Sequence, residues 1–234
     1  MSAIDITGLS KRYGAFPALD GLTLSLPPGQ IVGLLGENGC GKTTLLKVLA
    51  GALARYEGTV RIHGHAPGPE SKALVSFLPD ASFLADNSTI DGCVRQYRDF
   101  FADFNETKGR DLIQFFGLNP AAKLSTLSKG MREKVQIALA MSRDAKVFLL
   151  DEPISGIDPA AREVILEAIV RDLSPDALVI ISTHLIHDLE PILDGVAFMR
   201  FGKVLLAGAV DDLRMQHGKS IDELFREVYR WSPR

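Results

Sequence analysis

The chain has 234 residues, 46% of them hydrophobic, enough to bury the core of one large domain or two small lobes. Its 26 basic and 29 acidic residues leave a formal charge of −3, without the basic surplus of a protein that grips phosphodiester backbone, so no nucleic-acid partner is expected. Two cysteines, Cys40 and Cys93, exclude a disulfide framework and suit a reducing compartment. The apolar runs, such as 147–150 and 178–181, fall far short of the ~20 residues of a membrane-spanning helix. No basic region followed by an apolar stretch opens the chain. A soluble, cytoplasmic chain is expected.

In chain order, 4–9 and 22–26 read as short strands broken by Gly and Pro, and 59–62 resembles them. Together they predict an antiparallel β-layer. Ile31-Val32-Gly33-Leu34-Leu35 predicts a buried strand, with a helix behind it over 42–50. From about 82 to 143 the pattern turns helical and rich in aromatics (Tyr97, Phe100, Phe101, Phe104, Phe115 and Phe116), which predicts a helical subdomain inserted between sheet strands. Residues 146–150 and 178–183 predict two more buried strands, separated by a helix over roughly 160–173. Continuous apolar strands alternating with helices indicate a parallel sheet covered on both faces. A last helix, about 220–230, places Ile221, Leu224, Phe225 and Val228 on one stripe. The expected fold is therefore α/β: a parallel-sheet core of the P-loop NTPase kind, an antiparallel β-layer and an inserted helical subdomain, all within one domain spanning 1–234.

Gly36-Glu37-Asn38-Gly39-Cys40-Gly41-Lys42-Thr43 fits G-x-x-x-x-G-K-[ST], and it lies between a predicted strand and a helix. Glycines let the backbone wrap a phosphate with its N–H groups inward, and the helix start adds positive potential. Lys42 would bring charge to the β- and γ-phosphates of ATP and Thr43 a hydroxyl to Mg²⁺, with Thr44 next in the nucleotide-binding run. The strand Val147-Phe148-Leu149-Leu150 ends in Asp151-Glu152. Asp151 is placed to hold Mg²⁺, directly or through water, and Glu152 to polarise the attacking water. Ser128, in Leu127-Ser128-Lys129-Gly130-Met131, is an N-cap, and the helix it opens is a second anion site. One ATP does not need two such sites in one chain. The economical explanation is that Ser128, Lys129 and Gly130 address the γ-phosphate held by another subunit.

This set of motifs resembles the nucleotide-binding subunit of ABC (ATP-binding cassette) transporters over nearly the whole chain. The order matches: Tyr13, the phosphate loop, a helical insertion, the signature at Ser128, Asp151-Glu152, then Ser155-Gly156-Ile157-Asp158 and His184. The resemblance implies that Tyr13 stacks on adenine, that Asp158 links two composite sites across a dimer, and that His184 contacts the γ-phosphate alongside the catalytic Lys42 and Glu152. Two departures stand out. Lys129 and Met131 replace the commonest signature residues, and Asp80, after Leu78-Pro79, stands where most members carry glutamine, at a position that senses Mg²⁺ and water. These variants look most like bacterial subunits of the ABC-2 type, largely exporters.

The resemblance thus implies an ATP-hydrolysing subunit that dimerises around two ATP, with a second copy or a homologous subunit. It would drive transport, with export the expected direction, through separate transmembrane permease subunits at the cytoplasmic face of the membrane. The alternatives are a soluble ABC ATPase acting on a macromolecular assembly and a small-molecule P-loop kinase. The kinase leaves the Ser128 helix start and His184 unexplained.

Overall fold

The computed structural model describes residues 2–231. A hairpin of β1 (Ile4–Tyr13) and β2 (Phe16–Leu26) leads to β3 (Gln30–Leu35), α1 (Lys42–Leu49) and β4 (Glu57–Ile62). Then come α2 (Pro69–Leu74), β5 (Val75–Leu78), α3 (Ile90–Phe100), α4 (Glu106–Phe115) and α5 (Lys129–Met141). The second half runs β6 (Val147–Asp151), α6 (Pro159–Val170), β7 (Leu178–Thr183), α7 (Ile186–Leu189), β8 (Gly195–Arg200), β9 (Lys203–Ala209), α8 (Val210–His217) and α9 (Ile221–Trp231).

The strands form two sheets. One is antiparallel in the order β2-β1-β4; the other has six strands in the order β5-β6-β7-β3-β8-β9, all parallel except β9. In β6 and β7 every residue is buried because both faces are covered, so these strands read as unbroken apolar runs. Side chains alternate between the faces. Val147, Leu149, Leu178, Ile180, Val32 and Leu34 join the core under α1 and the antiparallel layer. Phe148, Leu150, Val179, Ile181, Leu35 and Phe198 join the core formed with α5, α6 and α9.

The expected β-layer, central strands and helices are present, with longer outer strands: β1 continues to Tyr13 and β2 begins at Phe16. The 82–143 insert holds α3, α4 and α5, preceded by irregular chain. Tyr97 packs against Phe101 and Phe104 at ring separations of 5.1 and 5.6 Å, while Phe100 is exposed. The β8–β9 hairpin is absent from the sequence-based expectations. Arg200 pairs with Lys203 across a two-residue turn, Phe201-Gly202, with φ of 48° and 75°. That is the positive-φ turn that matches strand twist.

Buried Arg143 fastens the helical insert to the edge of the sheet. Its guanidinium grips both oxygens of Asp103 at 2.9 Å, donates to the Val75 carbonyl at 2.7 Å, and lies 4.2 Å from the Phe101 ring centre. Removing one partner of a pair this far from water leaves the other charge and a carbonyl uncompensated. Arg143→Ala is therefore expected to cost about 3 kcal/mol in urea unfolding, through a lower midpoint and an unchanged slope.

Candidate active site

Parallel register brings the chemistry to one edge. Leu35, the last residue of β3, lies beside Thr183 of β7, and Asp151, the last of β6, beside Ser182. The chain segments leaving these three strands therefore meet at one end of the sheet, as crevices in open α/β sheets do.

The first is the loop 36–41. Gly39 and Gly41 have φ of 80° and 112°, and Gly41 N-caps α1 without a side chain. A methyl carbon at Gly36 would lie 2.5 Å from Cys40 Sγ and 2.6 Å from the Met199 carbonyl oxygen, and one at Gly41 would lie 2.4 Å from the Ala18 oxygen. Only glycine fits at either place. Lys42, on the first turn of α1 and 5% exposed, turns its ammonium back into the loop, donating to Gly36 O at 2.7 Å and Glu37 O at 3.3 Å.

From the second segment, the Lys42 ammonium also lies 3.4 Å from Glu152 Oε1. Glu152 sits at φ 49°, a conformation that non-glycine residues hold only under constraint. The constraint is visible. Its N–H is shared between the carbonyl and the hydroxyl of Ser182, at 3.1 and 3.0 Å. From the third segment, His184 Nδ1 donates to Glu152 Oε2 at 3.0 Å, which puts a ring proton on Nδ1. One carboxylate is thus gripped from both sides.

Asp151 is 1% exposed. Its Oδ1 accepts from Ser182 Oγ at 2.6 Å and Thr43 Oγ1 at 3.1 Å, whereas its Oδ2 is buried without a hydrogen-bond partner. An orphaned carboxylate oxygen beside a threonine hydroxyl is a donor set that suits Mg²⁺. No group of three or more His, Cys, Asp or Glu able to hold a metal occurs among the described residues. A Mg²⁺ at Asp151 would therefore complete its shell with phosphate oxygens and water.

These groups face a cleft of about 400 Å³, lined by Asn38, Gly39, Gly41, Lys42, Thr43, Thr44, Asp80, Glu152 and His184, with Tyr13 at its mouth. Phe16 and Ala18, which the sequence did not single out, line it too, as does Ser155, whose motif was recognised without a place in the cleft. Tyr13 and Phe16 pair across the turn of the β1–β2 hairpin and stand 48% and 59% exposed. The pattern Tyr-Gly-Ala-Phe was the available signal. Ser182 was missed as well, because only the pairing of β6 with β7 sets it beside Asp151.

Ser128 caps α5 as expected, its hydroxyl accepting from Met131 N at 3.3 Å. It is exposed, and Ser128, Lys129 and Gly130 do not line the cleft. The Lys129 ammonium comes close to Gly156, and Asp158 caps α6 through a 3.0 Å bond from Ala161 N.

Cys40 lies in the loop, just before α1, where a helix N-terminus stabilises a thiolate. Here the side chain is buried against Gly36, and that burial pushes the thiol pKa up despite the charge of Lys42. Its backbone N–H is bonded to the Glu37 carbonyl at 3.3 Å and its carbonyl accepts from Gly202 N at 2.9 Å.

The family model "ABC transporter" matches residues 19–155. The chain is 30% identical over 235 residues to "Nod factor export ATP-binding protein I" of Paraburkholderia xenovorans (strain LB400), covering 96% of this chain and 77% of that one. It is 28% identical to "ABC-type transporter ATP-binding protein EcsA" of Bacillus subtilis (strain 168), covering 97% of both. A solved "Structure of ATP binding subunit of ABC transporter" superposes with a TM-score of 0.86 at 28% identity, over 97% of this chain and 100% of that one.

Burial raises the thiol pKa of Cys93 as it does that of Cys40. Maleimide labelling of both thiols in the native protein is expected to be at least tenfold slower than in urea, since the thiolate is the nucleophile. Mass spectrometry of labelled peptides reads each site separately.

Proposed function

Because this chain belongs to the ABC transporter family, whose ATP-binding domains hydrolyse ATP to power transport, we propose that ATP occupies the cleft beside α1 and is hydrolysed there with Glu152 as the base. The observation that carries this reading is the position of Glu152, whose carboxylate is held by Lys42 on one side and His184 on the other. The roles follow from chemistry. The loop 36–41, with Asn38, Gly39, Cys40 and Gly41 contributing backbone, cradles the phosphates, and the Cys40 N–H and Lys42 leave their carbonyl partners for phosphate oxygen. Thr43 and Thr44 follow at the helix start. Tyr13, with Phe16 beside it, offers an aromatic face to adenine. Thr43 and Asp151, with Asp80 also lining the cleft, would hold Mg²⁺, which would supply charge neutralisation of the phosphates. Released from the Lys42 ammonium, Glu152 accepts a proton from water as the water oxygen bonds to the γ-phosphorus and the bond to the bridging oxygen breaks, ADP leaving with that electron pair, while His184 holds the carboxylate in place.

The exposed cap at Ser128, with Lys129 and Gly130, sits apart from the cleft, as a surface meant for another molecule's γ-phosphate would. Two copies arranged head to tail, or one copy with a homologous subunit, would enclose two ATP. We further propose that the chain is a single ATP-binding domain of the bacterial ABC-2 kind. No described helix is long and apolar enough to cross a membrane. The domain would therefore act peripherally at the cytoplasmic face through separate permease subunits. Export is favoured by similarity to a protein named for Nod factor export and to "Daunorubicin resistance ATP-binding protein DrrA3" of Streptomyces coeruleorubidus, 29% identical over 97% of this chain and 75% of that one.

Glu152→Gln tests the reading. The variant should bind ATP with near-wild-type affinity, lose at least a hundredfold in turnover, equivalent to about 2.7 kcal/mol of barrier, and accumulate as an ATP-dependent dimer in light scattering. A variant that hydrolyses ATP normally would remove Glu152 from the mechanism, and one that stays monomeric with ATP bound would remove the composite site.

Asp80 supplies a second test. A carboxylate at this place attracts Mg²⁺ and repels phosphate, so its effect depends on the metal. Asp80→Asn is expected to flatten the dependence of turnover on free Mg²⁺ and to lower kcat about tenfold. Superimposable Mg²⁺ titrations of the two proteins would show that Asp80 takes no part.

A further inference from the structure

Helix α9 ends its buried stripe under the phosphate loop. Tyr229, 8% exposed, lies one turn beyond Phe225, and the two rings stack at 4.1 Å while Phe225 packs edge-on against Phe198 of β8 at 5.3 Å. Arg200 Nη1 donates to the Tyr229 carbonyl at 2.8 Å, and its guanidinium lies 5.2 Å from the Tyr229 ring centre. The ring is therefore fixed in place, and with it the hydroxyl.

That hydroxyl sits against the floor of the loop. It donates to the Met199 carbonyl of β8. A methyl carbon at Gly36 would come within 3.0 Å of it, so the phenol is one of the atoms that forbid a side chain there. Burial pushes the phenol pKa up, and the neighbouring Cys40 thiol adds to that. The hydroxyl is thus bonded to a sheet strand while it rests against Gly36, the first residue of the phosphate loop, 193 positions earlier in the chain.

We propose that Tyr229 is a positioning residue for the nucleotide: its hydroxyl, bonded to the Met199 carbonyl of β8, braces Gly36 from below and so presets the loop in the shape that receives phosphate, making α9 part of the nucleotide site. Phosphate cradles work through preorganised backbone N–H groups, and a loop that must be ordered at binding binds less tightly. This inference rests on the assignment of ATP to the cleft beside α1.

Tyr229→Phe isolates the hydroxyl, because the ring and its stacking remain. ATP and ADP affinities, measured by equilibrium binding of a fluorescent nucleotide analogue and its displacement, are expected to fall about three- to tenfold, the range for one lost hydrogen bond. Ligand linkage supplies a second readout. At fixed nucleotide concentration the nucleotide-induced rise in Tm should shrink in Tyr229→Phe but keep its wild-type size in Val94→Ala, which removes core packing from the helical insert. Unchanged affinity in Tyr229→Phe would overturn the proposal, as would an equal shrinkage in Val94→Ala, since the increment would then report only general stability. Failure of the wild-type protein to bind nucleotide would instead overturn the assignment of ATP to the cleft.

Discussion

Three neighbouring parallel strands end nearly abreast, and the groups of the cleft take their positions from that alignment. β6, β7 and β3 are paired so that Asp151 meets Ser182 and Leu35 meets Thr183. A slip of one residue in either pairing would turn each strand's side chains to the opposite face. The apolar alternation shared by the two core clusters therefore guards the register, and the register in turn sets the separations among Lys42, Glu152 and His184.

Charge inside that alignment is expensive, and the structure compensates it locally. Lys42, Asp151 and Glu152 are all largely withdrawn from water, where an isolated charge would neutralise itself by shifting its pKa. Lys42 is shared between two loop carbonyls and the Glu152 carboxylate, and Glu152 between Lys42 and His184. Asp151 has two hydroxyl donors on one oxygen and none on the other. Glu152 Oε1, 3.4 Å from the Lys42 ammonium, and Asp151 Oδ2 are buried without a hydrogen-bond partner. In the proposed cycle Lys42 turns to phosphate oxygen and Asp151 to Mg²⁺, so each charge that enters meets one of opposite sign.

Backbone strain is present at the same edge. Gly36 and Gly41 are closed in by Met199, Cys40 and Ala18, and Glu152 holds a left-handed backbone that a glycine would adopt more easily. A carboxylate is required at that position, and the double acceptance by Ser182 holds it there. The same edge receives support from the far end of the chain, where the Tyr229 hydroxyl meets the loop floor.

The sequence by itself determined what depends on short spacing. The phosphate loop, the strand ending in Asp151-Glu152, the Ser128 cap and the buried strands each declare themselves within about ten residues, because backbone conformation, strand burial and helix capping are local consequences of side-chain type. The family resemblance added Tyr13, Asp80 and His184 by their order. Tertiary structure alone decided which of those pieces meet. It put His184 on Glu152 and kept Ser128 out of the cleft. It buried Cys40 against Gly36, and brought Ser182, Phe16 and Tyr229 to the site. Those outcomes depend on register between strands far apart in sequence and on where α9 docks. Nothing in the residues around Tyr229 records the loop that it supports, since burial is a property of the packed core and not of the segment that enters it.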